Sequence, residues 1–242
     1  MRTGIIIQAR MGSTRLPGKV MKLLAGKEIL WHVVKRCQQS KLADEVIVAT
    51  SDTPGDDIIE KFCAQHGFSC YRGSESDVLA RFYDAAGKFK LDVVVRITSD
   101  CPLIDPIVID ESLRLFRTKK VDYLSNCLDR VFPRGLDTEV FSFQALERAH
   151  REAKEPFERE HVTPYITKHG TTAPYSVPAE YRGDFRLTID EQIDYDLLKR
   201  VYSEFYRDDQ HIIDVRQVIR FLWENPTLAR LNADVVQKAS IR

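Results

Sequence analysis

Three short runs of consecutive apolar residues, Ile5-Ile6-Ile7, Val46-Ile47-Val48 and Val93-Val94-Val95, mark the first hundred positions, each followed by a polar loop and an amphipathic stretch. A strand points successive side chains to opposite faces, so a strand that is apolar at every position needs cover on both. Helices supply that cover. Ile29, Leu30, Val33, Val34 and Cys37 form one helical stripe, and Ile58, Ile59, Phe62 and Cys63 a second with Gly67 as its stop. Val78, Leu79, Phe82, Tyr83 and Ala86 form a third. The alternation implies an α/β fold with a Rossmann-like, mostly parallel sheet flanked by helices, whose ligands gather at the carboxyl ends of the strands.

Farther on, residues 122–141 are irregular and extended around Pro133, Arg134 and Gly135, a region expected to complete a substrate pocket. Phe143 to Ala153 returns to helical spacing, and Arg186 to Ile189 is strand-like. The chain is expected to form a single domain over 1–242, with a helical C-terminal segment about 206–242 in which Val215, Val218, Ile219, Leu222 and Trp223 pack on the core or on another subunit.

Lysine plus arginine equals aspartate plus glutamate, so no global field gathers nucleic acid or an anionic membrane, and neither is expected as a partner. Anion recognition must be local. Five scattered cysteines without a C-x-x-C pair argue against a disulfide framework or a zinc site. The apolar run after Gly4 is too brief for a signal-peptide core or a membrane span, and a cytoplasmic location is the expectation.

The loop after the first run reads Gln8-Ala9-Arg10-Met11-Gly12-Ser13-Thr14-Arg15-Leu16-Pro17-Gly18-Lys19. Glycines allow close approach of backbone amides to phosphate, and arginine and lysine neutralise the charge of a pyrophosphate leaving group. Arg10, Arg15 and Lys19 are the catalytic candidates. The spacing is neither that of a Walker A loop nor a dinucleotide fingerprint, and a solvated basic loop would have the same composition.

Asp100 follows the third run, and Asp190 opens a second acidic cluster with Glu191, Asp194 and Asp196. Magnesium bound to a nucleotide takes one or two protein carboxylates, so Asp100 and Asp190 would suffice as metal ligands. Asp190 also reads as a helix N-cap and Asp100 as a turn residue. Arg134, Asp137 and Glu139 could read an acceptor's polar groups, or be ordinary loop charge and, for Glu139, a cross-strand pair. His161 joins them on the acceptor side, more in keeping with a structural hydrogen-bonder than a base. Cys101 lacks a partner base and reads as a small buried hydrophobe.

The first loop resembles the signature of the cytidylyltransferases that make CMP-activated acidic sugars, the acylneuraminate and 3-deoxy-manno-octulosonate enzymes. The closer likeness is to the spore coat polysaccharide biosynthesis protein F group. Its pattern also appears as Arg72-Gly73-Ser74-Glu75-Ser76-Asp77-Val78-Leu79, Thr98-Ser99-Asp100-Cys101-Pro102-Leu103-Ile104, Gly135-Leu136-Asp137-Thr138-Glu139-Val140-Phe141 and Arg159-Glu160-His161-Val162-Thr163. The resemblance implies a glycosyltransferase A type nucleotidyltransferase fold and a magnesium-dependent transfer of CMP from CTP to a sugar or sugar-like acid, for surface polysaccharide. It implies a nucleotide site of Gln8, Ala9, Arg10, Gly12, Ser13, Arg15, Lys19, Ser74, Asp77, Val78 and Ser99, with the segment near Ser74 and Asp77 beside the cytosine. Relatives often form dimers, so a homodimer is a further expectation. Competing readings are a glycosyltransferase of the same fold, which would usually show an Asp-x-Asp motif where this chain has Asp100 alone, and a non-catalytic nucleotide-binding module.

Overall fold

The computed structural model describes residues 1–175, 178–209 and 212–237. Strand β1 (Thr3–Gln8) leads through the first loop and two short strands, β2 (Leu23–Leu24) and β3 (Lys27–Glu28), to helix α1 (Ile29–Cys37). Strand β4 (Glu45–Ser51), α2 (Asp57–His66), β5 (Ser69–Gly73), α3 (Val78–Lys88) and β6 (Val93–Thr98) follow. Next come α4 (Pro106–Lys119), β7 (Tyr123–Ser125), β8 (Glu139–Ser142), α5 (Phe143–Glu152), α6 (Pro156–His161), α7 (Pro164–His169) and β9 (Thr172–Pro174). Helices α8 (Gln192–Phe205), α9 (Val215–Glu224) and α10 (Pro226–Ala229) close the fold.

The main sheet runs β5-β4-β1-β6-β8-β7-β9. β5, β4, β1 and β6 are parallel, β8 is antiparallel to β6 and to β7, and β9 is parallel to β7. From β1 the chain steps outward to β4 and β5, then returns across to pair β6 on the other side of β1. That reversal opens a crevice at the carboxyl ends of the central strands.

Alternation explains the all-apolar runs. Ile5, Ile7, Val48, Val93, Val95 and Ile97 enter one core with α1, α2, α4, α8 and α9, whereas Ile6, Ile47, Ala49 and Val94 enter the other with α3, α5 and α7. Each fully buried Ile or Val side chain is worth about 1.5–3 kcal/mol, so slipping one strand by one residue has no apolar surface to gain and a register to lose.

Three details differ from the sequence reading. The irregular stretch 122–141 contains β7 and the start of β8, hidden because Pro133 and Gly135 interrupt any alternation between them. Arg186–Ile189 is not a strand of the sheet; it makes a single bridge, Arg186 to Arg134, and is held by Ile189 N–H donating to the Asp100 carbonyl (2.9 Å). In α9, Val215, Val218, Ile219 and Leu222 join the first core, but Trp223 is 63% exposed and lies T-shaped against Phe185, 5.0 Å between ring centres.

Candidate active site

The first loop is pinned at its root. Ala9 N–H donates to the Ala49 carbonyl (3.1 Å), extending the β1–β4 ladder by one bond. Met11 N–H then donates to Asp56 Oδ1 (2.7 Å), while Asp56 Oδ2 accepts from Thr50 Oγ1, Ser51 N and Ser51 Oγ. Asp56 is 3% exposed, so the carboxylate is an internal post tying the loop after β1 to the loop after β4. Gly18 N–H and Ser13 N–H both return to the Met11 carbonyl, and Gly18 takes φ +64°, a conformation a glycine adopts without strain. Gly12 and Ser13 remain toward solvent at the tip, and Arg10 has no hydrogen-bond partner among the described residues.

Lys19, at the loop's end, crosses to the acids. Its Nζ donates to Asp100 Oδ2 (2.7 Å), Asp190 Oδ1 (2.9 Å) and the Ile189 carbonyl (2.6 Å). Residues 90 apart in sequence therefore place carboxylate oxygens on a single nitrogen. Burial opposes the lysine's charge, but Asp100 and Asp190 raise its pKa above the ordinary value; burial opposes the Asp100 charge too, and Lys19 holds that carboxyl below its ordinary value. Arg15 adds contacts to Asp190 Oδ1 and Glu191 Oε1, both 3.1 Å. Lys19 and Arg15, expected at a pyrophosphate, thus sit on carboxylates in this structure, which would otherwise face each other uncompensated.

Behind Asp190 is a buried polar knot. Asp194, fully buried, accepts from Arg186 Nε (2.9 Å) and Asn232 Nδ2 (2.8 Å) on one oxygen and from the Asp190 and Glu191 amides (2.9 Å each) on the other. Arg186 Nη2 donates to Asp190 Oδ2 (2.6 Å). Glu191, not Asp190, occupies the N-cap position of α8, which frees Asp190 for the crevice. Cys101 is buried against Thr98 and Thr188, and burial followed by the Asp100 charge pushes its thiol well above the ordinary value, so it stays protonated and unreactive at neutral pH.

Two cavities flank this centre. One, about 850 Å³, is lined by Arg96, Thr98, Asp137, Glu139, Glu158 and His161 among others. Within it, Glu139 pairs with Arg96 across β8 and β6, and accepts from Tyr123 Oη (2.7 Å) and Thr163 Oγ1 (2.8 Å). Asp137 takes both nitrogens of Arg130, at 2.7 and 3.0 Å. Burial lowers the His161 pKa below its ordinary value, so its ring is neutral at pH 7. Arg134 does not line this space; its backbone is engaged with Phe185 and Leu187, on the other side of Gly135. The second cavity, 540 Å³, is lined by Arg10, Glu75, Ser76, Asp77, Pro156, Arg159 and Glu160.

Asp77 caps α3 through Ala80 N–H (2.9 Å), accepts from Arg159 Nε, and has its own amide held by Ser74 Oγ (3.0 Å). Ser99 is buried, its N–H donating to the Gln8 carbonyl (3.1 Å), and the Gln8 side chain accepts from Arg96 (3.2 Å). Val78 departs from the expected nucleotide set: its side chain is in the second core, so it supports the loop from behind. Asp56 and Arg96 were absent from the sequence reading, which also gave no site role to Arg186 and placed Asp194 only as a member of the acidic cluster. Asp56 had one available signal, its place in the polar loop after the Val46-Ile47-Val48 run.

A crevice at a sheet reversal, a glycine-containing basic loop and two converging carboxylates between two open cavities define a nucleotidyltransferase. Residues 4–227 match the family model described as Cytidylyltransferase, and the chain belongs to that family. It is 37% identical over 235 residues to the spore coat polysaccharide biosynthesis protein SpsF of Bacillus subtilis (strain 168), covering 93% of this chain and 95% of the relative. The 3-deoxy-manno-octulosonate cytidylyltransferase of Myxococcus xanthus (strain DK1622) is 35% identical over 123 residues, 50% of this chain and 48% of that one. The solved structure of a cytidylyltransferase from Leptospira borgpetersenii serovar Hardjo-bovis (strain JB197) superposes with a TM-score of 0.88 at 36% identity, covering 99% of this chain and 100% of that chain.

Proposed function

We propose that the protein transfers CMP from CTP to a hydroxyl or other oxyanion of a sugar or sugar-like acid, releasing pyrophosphate, in the assembly of surface polysaccharide. The observation that carries the reading is the meeting of Asp100 and Asp190 at one point beside the first loop. The acceptor oxygen attacks the α-phosphorus in line, the bond from that phosphorus to the bridging oxygen breaks, and the acceptor proton leaves to solvent. Positioning and charge stabilisation supply most of the catalysis.

Arg10, Arg15 and Lys19 receive the charge that grows on the departing pyrophosphate. Asp100 and Asp190 are the residues that would hold magnesium. They fit it: both offer hard oxygens and a cationic nitrogen already rests between them, and a nucleotide-bound magnesium takes only one or two protein carboxylates, with phosphate oxygens and water for the rest. When bound, the metal would polarise the α-phosphate and lower the acceptor's pKa. The acceptor occupies the 850 Å³ cavity, with Asp137, Glu139 and His161 on its wall and Arg134 bracing Gly135 behind them.

The Bacillus subtilis relative's name supports the polysaccharide context and the Myxococcus xanthus relative's name supports a sugar-acid acceptor. No helix among the described residues is long and apolar enough to cross a membrane. The test is a thermal-shift comparison of CTP, UTP, GTP and ATP with magnesium, followed by pyrophosphate release on a panel of sugar acids and neutral sugars. A CTP-selective shift that vanishes in Asp100→Ala is the expected result. A shift led by another nucleotide, or pyrophosphate release unaffected by Asp100→Ala, overturns the reading.

A further inference from the structure

Arg81, in the first half of α3, is fully buried, yet none of its three guanidinium nitrogens has a hydrogen-bond partner among the described residues. An ionised group buried without a partner is strongly destabilising, and folds pair such groups or leave them out. Other buried arginines here follow that rule: Arg36 reaches the Ile104 carbonyl and Arg186 reaches Asp190 and Asp194. Arg81 is the exception that calls for a ligand.

Its position narrows what that ligand is. The stem lies against Gly73 at the carboxyl end of β5, where a Cβ would stand 3.2 Å from Arg81 Cγ. The charges acting on the guanidinium are Arg10, Asp56, Asp52 and Glu75, which belong to the loops after β1, β4 and β5. Burial, then the Arg10 charge, bring its pKa down to about 10, so it remains a cation at neutral pH. Asp56 has no capacity to spare, since both oxygens are committed to Met11, Thr50 and Ser51. Arg10 and Glu75 also line the 540 Å³ cavity. In the strand order, β5 and β4 lie on the opposite side of β1 from β6, which carries Asp100. The fork is therefore at the end of the crevice away from the acids, where the far end of a nucleotide held by the first loop would fall.

We propose that Arg81 is a specificity-determining residue for the nucleobase, donating its planar fork to the adjacent acceptors O2 and N3 of cytosine. The inference rests on the CTP reading above. On this proposal the exposed tip of loop 74–77, Glu75 and Ser76, shifts to admit the base, while Asp77 stays held by Ser74 and Arg159. Two neighbouring acceptors match two parallel N–H donors. Uracil puts an N–H donor at N3 and cannot accept the second bond. Guanine offers an equivalent pair at O6 and N7 on a larger ring, which makes GTP the informative competitor.

The experiment is calorimetric titration of CTP, UTP and GTP, with magnesium, into the full-length protein and into Arg81→Met and Arg81→Lys, alongside melting of each protein without nucleotide. Arg81→Met should lose the preference for CTP over UTP by roughly tenfold to a hundredfold. Its ligand-free melting temperature should equal or exceed that of the wild type, because the charge removed has no partner to lose. Arg81→Lys keeps the charge but not the fork, and should fall between the two in selectivity. A selective wild type whose preference survives in Arg81→Met overturns this inference alone. An equal loss for all three nucleotides moves Arg81 to the phosphates and overturns the base assignment. A wild type with no CTP preference overturns the parent reading first.

Discussion

Replacing Lys19 by Met separates the two jobs its ammonium could do. The methionine keeps the length of the stem and removes the charge between Asp100 and Asp190, whose side chains are only 21% and 14% exposed. Breaking a buried ion pair by deleting one partner costs about 3–5 kcal/mol, because the surviving charge stays desolvated. Here two carboxylates survive facing each other, relieved in part by Arg15 and Arg186 on Asp190, so the lower half of that range is the better figure. In a chain of this length each kcal/mol shifts the midpoint by roughly 2–4 °C, which gives a fall on the order of 10 °C in metal-free buffer. Magnesium should then raise the Lys19→Met midpoint more than the wild-type one, since the native ammonium competes for the same oxygens and the variant has no competitor. Differential scanning calorimetry in chelator and across a magnesium titration reads both effects. Midpoints within a degree of each other in chelator, or equal magnesium shifts for both proteins, would refute the idea that Lys19 occupies the cation position.

Asp56→Ala should lower stability by about 2–4 kcal/mol, since it strands the buried Ser51 amide and the half-buried Met11 amide, and should weaken nucleotide binding because the first loop loses its post; urea denaturation and CTP titration check the two parts. Gly135→Ala should be more severe than a loop substitution elsewhere: Gly135 has φ +103° and an added Cβ would stand 2.5 Å from the Leu187 backbone, so soluble yield and melting point should both drop. His32 gives a pH signature. Burial, despite a contact to the Leu24 carbonyl at 2.8 Å, holds it down at about 4 against 6.5 when unfolded. The unfolded chain therefore takes up a proton that the fold refuses, and its contribution of about 3 kcal/mol is complete above pH 6.5 and lost as pH falls toward 4. His32→Gln should flatten the stability profile across that window, measured by denaturant midpoints at half-unit steps.

Three of the four parallel strands, β1, β4 and β6, were legible because each carries a run of consecutive apolar residues, a pattern that only a doubly covered strand sustains; the edge strand β5, reading Ser-Cys-Tyr-Arg-Gly and half-buried throughout, has no such run. The first loop and Asp100 were legible for a related reason: they follow such strands, where the polypeptide must turn and where ligands collect. Arg186–Ile189 misled, because Leu187 and Ile189 alternate with polar residues as a half-buried strand would, yet they pack beneath Asp100 with one bridge and no ladder. Glu139 was ambiguous for a real cause, since it both pairs with Arg96 across two strands and faces the larger cavity. Arg81 gave no signal at all, and the sequence marked Asp194 only as one acid of a cluster and Arg186 only as the start of a strand-like run. Their roles depend on contacts to residues far along the chain, or on the lack of any, and neither leaves a periodic trace.

The knot around Asp194 bears on the order in which the molecule can come to life. Everything from β1 to Asp100 is made in the first hundred residues, but Asp190 is aimed by Arg186, Asp194 and Asn232, the last of these beyond α10. A nascent chain can therefore assemble a nucleotide crevice well before it owns a second acid. A chain truncated ahead of Asn232 would be expected to hold its sheet while losing the contact that helps fix Asp194 behind Asp190.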